Sequence, residues 1–406
     1  MTRLRIAITI NYLAVGGSQS FALALAQGLV ENGHQVFVYD FNLPYFTRSL
    51  QKLNSPLLQS NSFSFFQFKI PLPLFFYDTL IRVRLLEIAL TWLINILRVR
   101  QFKKFVQQHQ IEAVSSHLMA ADTLSAFAVK NLPSVVHSIT LHGSYEGYPK
   151  AALKKKREKV FSQVNGIIYL TQKNIEFLNH LKHKNPYTKF RQIYNGYIPQ
   201  IFERKEKSST RNELKIAEDS FVFIQVARGT QDKGWQEAIN AFLITLQKTK
   251  EKMVLLFVGD GDFLSELKKK YSGQQEIIFY GYSGNPIPLI QLADVGLLPT
   301  YYKGESLPNT VIEYLFSGKP VLASNIGEIN NMLGIGTEAP AGYTFNLSAN
   351  GGINETELSE RMLEYIVHPE GYKKHSANTR IQREKFKMQN CVNAYQQFFT
   401  TLMHQN

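Results

Sequence analysis

Short apolar runs recur along this chain, each closed by glycine or polar residues and followed by a stretch with apolar positions at helical spacing. Ile6–Ile10, Ala113–Ser116, Ser134–Leu141 and Gly166–Leu170 predict strands in the first half, and Phe221–Val226, Met253–Val258, Glu276–Tyr280 and Pro320–Ala323 in the second. The first strand leads through Val15-Gly16-Gly17-Ser18-Gln19 into a helix with Phe21, Leu25 and Leu29 on one side. Gly33 suits the left-handed cap of that helix, and Val36–Tyr39 is the next strand. Alternation of this kind from end to end predicts an α/β protein of parallel sheets covered by helices.

The pattern also divides the chain. Tyr194-Asn195-Gly196-Tyr197 is a turn sequence that runs into a polar, charged stretch from Glu203 to Glu213. We place an N-terminal domain over 1–195 and a C-terminal one over 196–385. The last segment, from about Phe386, carries Val392, Tyr395, Phe399 and Leu402 at the spacing of an amphipathic helix.

Composition narrows the class. A chain of 406 residues, 44% hydrophobic and 12% aromatic, can build two packed cores. The lone Cys391 forms no internal disulfide, which fits a reducing compartment. Arg3 and Arg5 precede only a short apolar run, so no signal peptide is read there and a cytoplasmic protein is expected. The net charge of +13 favours anionic partners: a phosphorylated substrate, a phospholipid surface or nucleic acid. No helix-turn-helix, zinc-finger or RNP-like signature supports the last of these. The ten histidines show no metal-ligand spacing.

One apolar helix is predicted around Leu85–Leu97. At about 20 Å it is too short for a bilayer core of roughly 30 Å. A buried core helix is the plain reading. Basic residues at Arg98, Arg100, Lys103 and Lys104, with the cluster Lys150, Lys154, Lys155, Lys156, Arg157 and Lys159, raise an interfacial alternative.

Candidate chemistry concentrates in two blocks. In Glu305-Ser306-Leu307-Pro308-Asn309-Thr310-Val311-Ile312-Glu313, Pro308 marks the first turn of a helix. Glu305 therefore falls in the loop above that helix and Glu313 within it. The free first-turn N–H groups between them suit a phosphate or a sugar hydroxyl. In Val226-Ala227-Arg228-Gly229-Thr230-Gln231-Asp232-Lys233-Gly234, two cations share one loop at the end of a strand, where a diphosphate can be clamped. Both are expected on the surface. Three weaker signals accompany these blocks. Gly16-Gly17 is a tight turn but not a dinucleotide fingerprint. His142 follows an apolar strand, and His117 ends the preceding one and reads as structural or acceptor-side. Asp260-Gly261-Asp262 spells a metal motif, yet it is better read as turn chemistry before a helix.

The two blocks, with Gly16-Gly17-Ser18-Gln19 and the run from Phe279 to Leu333, resemble the family 4 retaining glycosyltransferases that build bacterial surface polysaccharides and lipid glycans. The resemblance implies the GT-B fold, two Rossmann-like domains facing across a central cleft, with the terminal helix crossing back onto the first. It implies a nucleoside diphosphate sugar, UDP- or GDP-linked, as donor, and a glycan or lipid-linked acceptor at the inner face of the plasma membrane. Arg228 and Lys233 would then neutralise the diphosphate, Glu313 would bind ribose, and Glu305 with Ser306, Leu307, Pro308, Asn309 and Thr310 would hold the sugar. His142 and the Gly16-Gly17 loop would complete the site, with retention of configuration and no metal or other cofactor. Ser306-Leu307-Pro308-Asn309 replaces the more common Gly-Phe-Gly stretch, which leaves the sugar open. Two rivals stand beside this reading: a nucleotide-sugar epimerase of the same architecture and a non-enzymatic membrane-associated scaffold.

Overall fold

The computed structural model describes residues 3–11, 17–42, 63–69, 84–142, 158–171, 174, 178, 187–197 and 210–404. The chain forms two compact units, one of residues 1–201 with 388–406, the other of residues 202–387.

In the first unit β1 (Arg5–Ile10), β2 (Gln35–Asp40), β3 (Ser64–Gln67), β4 (Ala113–His117), β5 (Val136–Leu141), β6 (Gly166–Tyr169) and β7 (Lys189–Gln192) form a sheet ordered β3-β2-β1-β4-β5-β6-β7. All of its pairings are parallel. Helices α1 (Gly17–Glu31), α2 (Arg84–Gln108) and α3 (Met119–Val129) connect these strands. Ile6, Ala7, Ile8 and Ile10 are all fully buried because helices cover both faces of the sheet.

The second unit repeats the plan. Its strands are β8 (Phe221–Val226), β9 (Met253–Val258), β10 (Ile277–Gly281), β11 (Val295–Leu298), β12 (Val321–Ser324) and β13 (Gly342–Phe345), ordered β10-β9-β8-β11-β12-β13 and again parallel. Around them lie α4 (Trp235–Leu246), α5 (Asp262–Lys270), α6 (Ile287–Leu292), α7 (Asn309–Phe316), α8 (Ile329–Leu333), α9 (Glu355–Val367) and α10 (Pro369–Gln382). Each sheet winds outward from its first strand in one direction, then resumes on the other side, so each has a switch point: β1 beside β4, and β8 beside β11. Ligands of open α/β sheets bind beyond the strand ends at such points.

The last helix, α11 (Met388–Met403), belongs to the first unit. It packs on α1, where Gly28 has no side chain and Val392 fills the space, and on β6, where Gly166 makes room for Phe398 and Leu402. The Tyr395 hydroxyl hydrogen-bonds Thr140 Oγ1 at 2.9 Å.

On α2, Trp92 is 68% and Leu93 46% exposed, while Ile94 is buried, so the helix is not the wholly buried core element that its composition suggests. Among the described residues no helix is long and apolar enough to cross a membrane. The cluster residues Lys150 to Arg157 lie outside the described residues.

Candidate functional site

Both blocks singled out in the sequence lie at the switch point of the second sheet. The β8 strand ends at Val226, and its continuation turns through Arg228 and the short 3-10 turn Gln231–Lys233 into α4. The turn needs Gly234. Its φ is +71°, and a Cβ there would lie 1.8 Å from the Pro299 carbonyl oxygen. Trp235, fully buried, donates from Nε1 to the Arg228 carbonyl at 3.0 Å, and Gln225 Nε2 holds the Lys233 carbonyl at 2.8 Å. The loop is thus fixed from beneath at both cations.

The two cations differ in their surroundings. Arg228 is exposed, and no carboxylate among the described residues pairs with it. Lys233 is buried, contrary to its expected place on the surface, because its ammonium pairs with Glu305. The Nζ–Oε2 distance is 2.5 Å, and the side chains are only 9% and 11% exposed. Tyr302, which the sequence reading missed, lies between the cations: its ring centroid is 4.8 Å from Lys233 Nζ and 6.0 Å from Arg228 Cζ. An aromatic face attracts cations without neutralising them, so both can still take an anion. The signal available in the sequence was an aromatic pair, Tyr301-Tyr302, between a strand and the first acid of the block.

The second block follows β11. Glu305 sits in the connection and Glu313 in the middle of α7. Pro308 precedes the helix in extended conformation and offers no side-chain cap, so the first turn keeps N–H groups for a ligand. The Ser306 hydroxyl is buried and has no partner among the described residues. Leu307 is half-buried, Pro308 buried and Asn309 exposed at the helix start. The Thr310 hydroxyl donates to the Val226 carbonyl at 3.2 Å and so ties α7 to the end of β8. Buried Tyr314 strengthens the same tie, its hydroxyl accepting from the Val226 N–H at 3.0 Å.

Glu313 is half-buried, and no hydrogen bond or ion pair reaches its carboxyl among the described residues. Burial pushes its pKa up from 4.5 to about 7. A carboxylate so placed gains most from hydroxyl donors, which restore the hydrogen bonds that water no longer makes.

The Gly259-Asp260-Gly261 turn abuts the Arg228 loop backbone to backbone. Gly229 N–H donates to the Asp260 carbonyl at 2.7 Å, and a Cβ on Gly229 would come 2.4 Å from that oxygen. Asp262 occupies the first turn of α5, where its charge meets the positive end of the helix.

In the first unit, Gly17 opens α1, while Gly16 lies outside the described residues. His142 directly follows β5. Its Nε2 is 2.8 Å from Nδ1 of His117, the last residue of β4. Burial lowers the pKa of His142 to about 4 and that of His117 well below 6.5, so both rings are neutral.

Comparison with known proteins agrees with this architecture. A family model described as "Glycosyltransferase Family 4" matches residues 15–200, and one described as "Glycosyl transferases group 1" matches residues 206–380. An uncharacterized glycosyltransferase of Methanocaldococcus jannaschii is 30% identical over 170 residues, 39% of this chain and 39% of the relative. The alpha-monoglucosyldiacylglycerol synthase of Streptococcus pneumoniae is 26% identical over 189 residues, 44% of this chain and 42% of that one. These matches span about two fifths of the relatives' own length. The crystal structure of Anabaena HepE in complex with UDP and glucose superimposes with a TM-score of 0.68 at 16% identity, over 98% of this chain and 100% of that chain. With a family model on each half and the same two-sheet fold, the chain belongs to the GT-B glycosyltransferases of the family 4 type.

Proposed function

We propose that this chain transfers a hexose-type sugar from a nucleoside diphosphate sugar to a glycan or lipid-linked hydroxyl, with retention, in the synthesis of cell-surface glycans. The observation that carries this reading is the arrangement of Arg228, Lys233 and the start of α7 around one strand-end position, with the unpartnered Glu313 carboxyl in the same helix. In the reaction the bond between the anomeric carbon and the diphosphate breaks, the acceptor oxygen bonds that carbon and the acceptor loses its proton. The negative charge of the departing diphosphate grows along this path. Arg228 can meet it through paired hydrogen bonds and Lys233 as a point charge, so both act most strongly in the transition state.

Lys233 carries three N–H donors and Glu305 engages it through Oε2 alone. The ammonium can therefore hold Glu305 and a phosphate oxygen together. The second Glu305 oxygen remains for a sugar hydroxyl. Glu313 would take the ribose diol. The synthase among the relatives makes, by its name, a monoglucosyldiacylglycerol, which supports a lipid acceptor. Exposed Trp92 and Leu93 on a helix that also bears Arg100 and Lys104 support docking at an anionic bilayer.

A panel of UDP- and GDP-hexoses, beginning with UDP-glucose, tests the reading by binding and by release of the nucleoside diphosphate with and without a lipid-linked acceptor. Transfer from one member of the panel, lost in Arg228→Ala, is the expected result. Interconversion of the sugar nucleotide without transfer would instead identify an epimerase and overturn the proposal.

A further inference from the structure

The parallel register of β4 and β5 sets His117 opposite Thr140. His142, two residues beyond Thr140, falls on the same face and meets His117 at 2.8 Å. On its other side His117 Nε2 is 3.3 Å from the Ser115 hydroxyl. Ser115 and His117 are both fully buried. The Phe21 ring stands edge-on to both imidazoles, its centroid 5.9 Å from His117 and 5.5 Å from His142, so that this wall offers no polar partner.

We infer that Ser115 and His117 form an oriented relay that fixes His142 as the tautomer protonated on Nδ1, so that His142 meets its ligand as a neutral hydrogen-bond donor. The polarity follows from donor and acceptor counting. Two neutral rings share a single proton at the Nδ1···Nε2 contact, and the polarity has only two possible senses. In one, Ser115 O–H donates to His117 Nε2, His117 Nδ1–H donates to His142 Nε2, and His142 is left with Nδ1–H. In the other, His142 Nε2–H donates to His117 and His117 Nε2–H donates to Ser115. The Ser115 proton then has no acceptor among the described residues, in a place closed to water. Buried donors are rarely left unmade, and the first sense leaves none. His142 itself is half-buried, and its Nδ1 has no partner among the described residues.

His117 is thus a positioning residue that acts through His142. The part His142 plays in transfer rests on the glycosyltransferase reading. The tautomer does not.

The test uses the full chain labelled with 15N-histidine, the His142 signals being assigned by their loss in His142→Gln. Long-range proton–nitrogen correlations are expected to show His142 Nδ1 protonated and Nε2 bare. Ser115→Ala should convert that signature to a mixture of tautomers. A protonated Nε2 in the wild-type chain, or an unchanged signature in Ser115→Ala, overturns the relay. Kinetics follow with the UDP- or GDP-hexose active in the panel. His117→Leu should lower kcat by about 10²-fold at nearly constant KM. His117→Asn, whose side-chain N–H can replace the Nδ1 donor, should recover most of that loss. Wild-type kcat in a folded His117→Leu overturns the positioning role. If the Leu variant does not fold, His117→Asn and Ser115→Ala carry the kinetic test, and a kcat in His117→Asn as low as in His142→Ala overturns it equally. Wild-type turnover in His142→Ala overturns the role of His142 in transfer, while the nitrogen spectra still decide the tautomer.

Discussion

Glu313 is the residue whose chemistry depends most on its surroundings. Its pKa of about 7 lies above the ordinary 4.5, so between these values the folded chain binds a proton that the unfolded chain does not. Stability from this group is fully present below pH 4.5 and is lost as pH rises through about 7. Binding of a diol runs the other way, because the ionised carboxylate accepts both hydroxyl protons. We expect affinity for an intact nucleotide sugar, whose diphosphate does not titrate in this range, to rise from pH 6 to pH 8. Titration calorimetry should also show Glu313→Gln binding weakly and without that slope. The same slope in the Gln variant would remove Glu313 from the ribose. Lys233 gives a second prediction. Removing it leaves Glu305 nearly buried without a partner, which costs about 3 kcal/mol, whereas Arg228→Ala should melt close to wild type. Both variants should lose transfer. Lys233→Met with Glu305→Gln should regain stability without activity, and thermal melts beside turnover separate the two effects. Arg228, Lys233, Glu305 and Glu313 were all legible as residues, since each lies in a local motif. Burial of Lys233 was not, because Glu305 is 72 positions away and only the fold pairs them. The His117–His142 contact was hidden for the same reason, as it depends on strand register.

At the scale of elements, turn chemistry was well marked and its neighbours were not. Gly-Asp-Gly-Asp announces a turn before a helix, and α5 begins at Asp262. Nothing local says that Gly229 and Gly261 must approach until a Cβ on Gly261 would stand 2.6 Å from the Gly229 oxygen. That contact makes the turn a brace for the cation loop. Asp260 serves it through its backbone carbonyl, and Asp262 serves the start of a helix. On the proposed reading, positive charge at the diphosphate comes from Arg228 and Lys233. Transfer should therefore survive EDTA, as should transfer by Asp260→Asn. Activity that vanishes in EDTA and returns with magnesium or manganese would restore the metal reading of these aspartates. Strand positions followed from apolar runs to within a residue or two: Ser134–Leu141 begins in fact at Val136, and Pro320–Ala323 shifts to Val321–Ser324. Helix α2 was harder, because an apolar sequence does not reveal which of its faces meets a partner. Trp92 and Leu93 remain exposed.

For the whole molecule, parallel sheets covered by helices were legible from βα alternation, whereas strand order, and with it the shared winding, required the structure. Charge and exposed apolar surface act together at this scale. Each Lys or Arg beside an anionic bilayer contributes about 1 kcal/mol, and salt weakens it. Sedimentation with vesicles should require anionic lipid, fall as salt rises, and fall further in Trp92→Ser with Leu93→Ser. Equal binding to neutral vesicles, or none to anionic ones, would favour a soluble acceptor.

The placement of α11 has a consequence for how the molecule is made. Residues 388–403 are synthesised after residues 202–387, yet they fill the spaces left by Gly28 and Gly166 in the unit whose sheet is synthesised before both. On the ribosome, the early sheet must wait with one apolar flank uncovered while the later unit, continuous from 202 to 387, has all its residues in hand. The order of completion is then the reverse of the order of translation. A premature stop after Lys387 would spare Arg228, Lys233, Glu305 and Glu313 and still leave Leu25 and Leu29 on α1 without the helix that covers them.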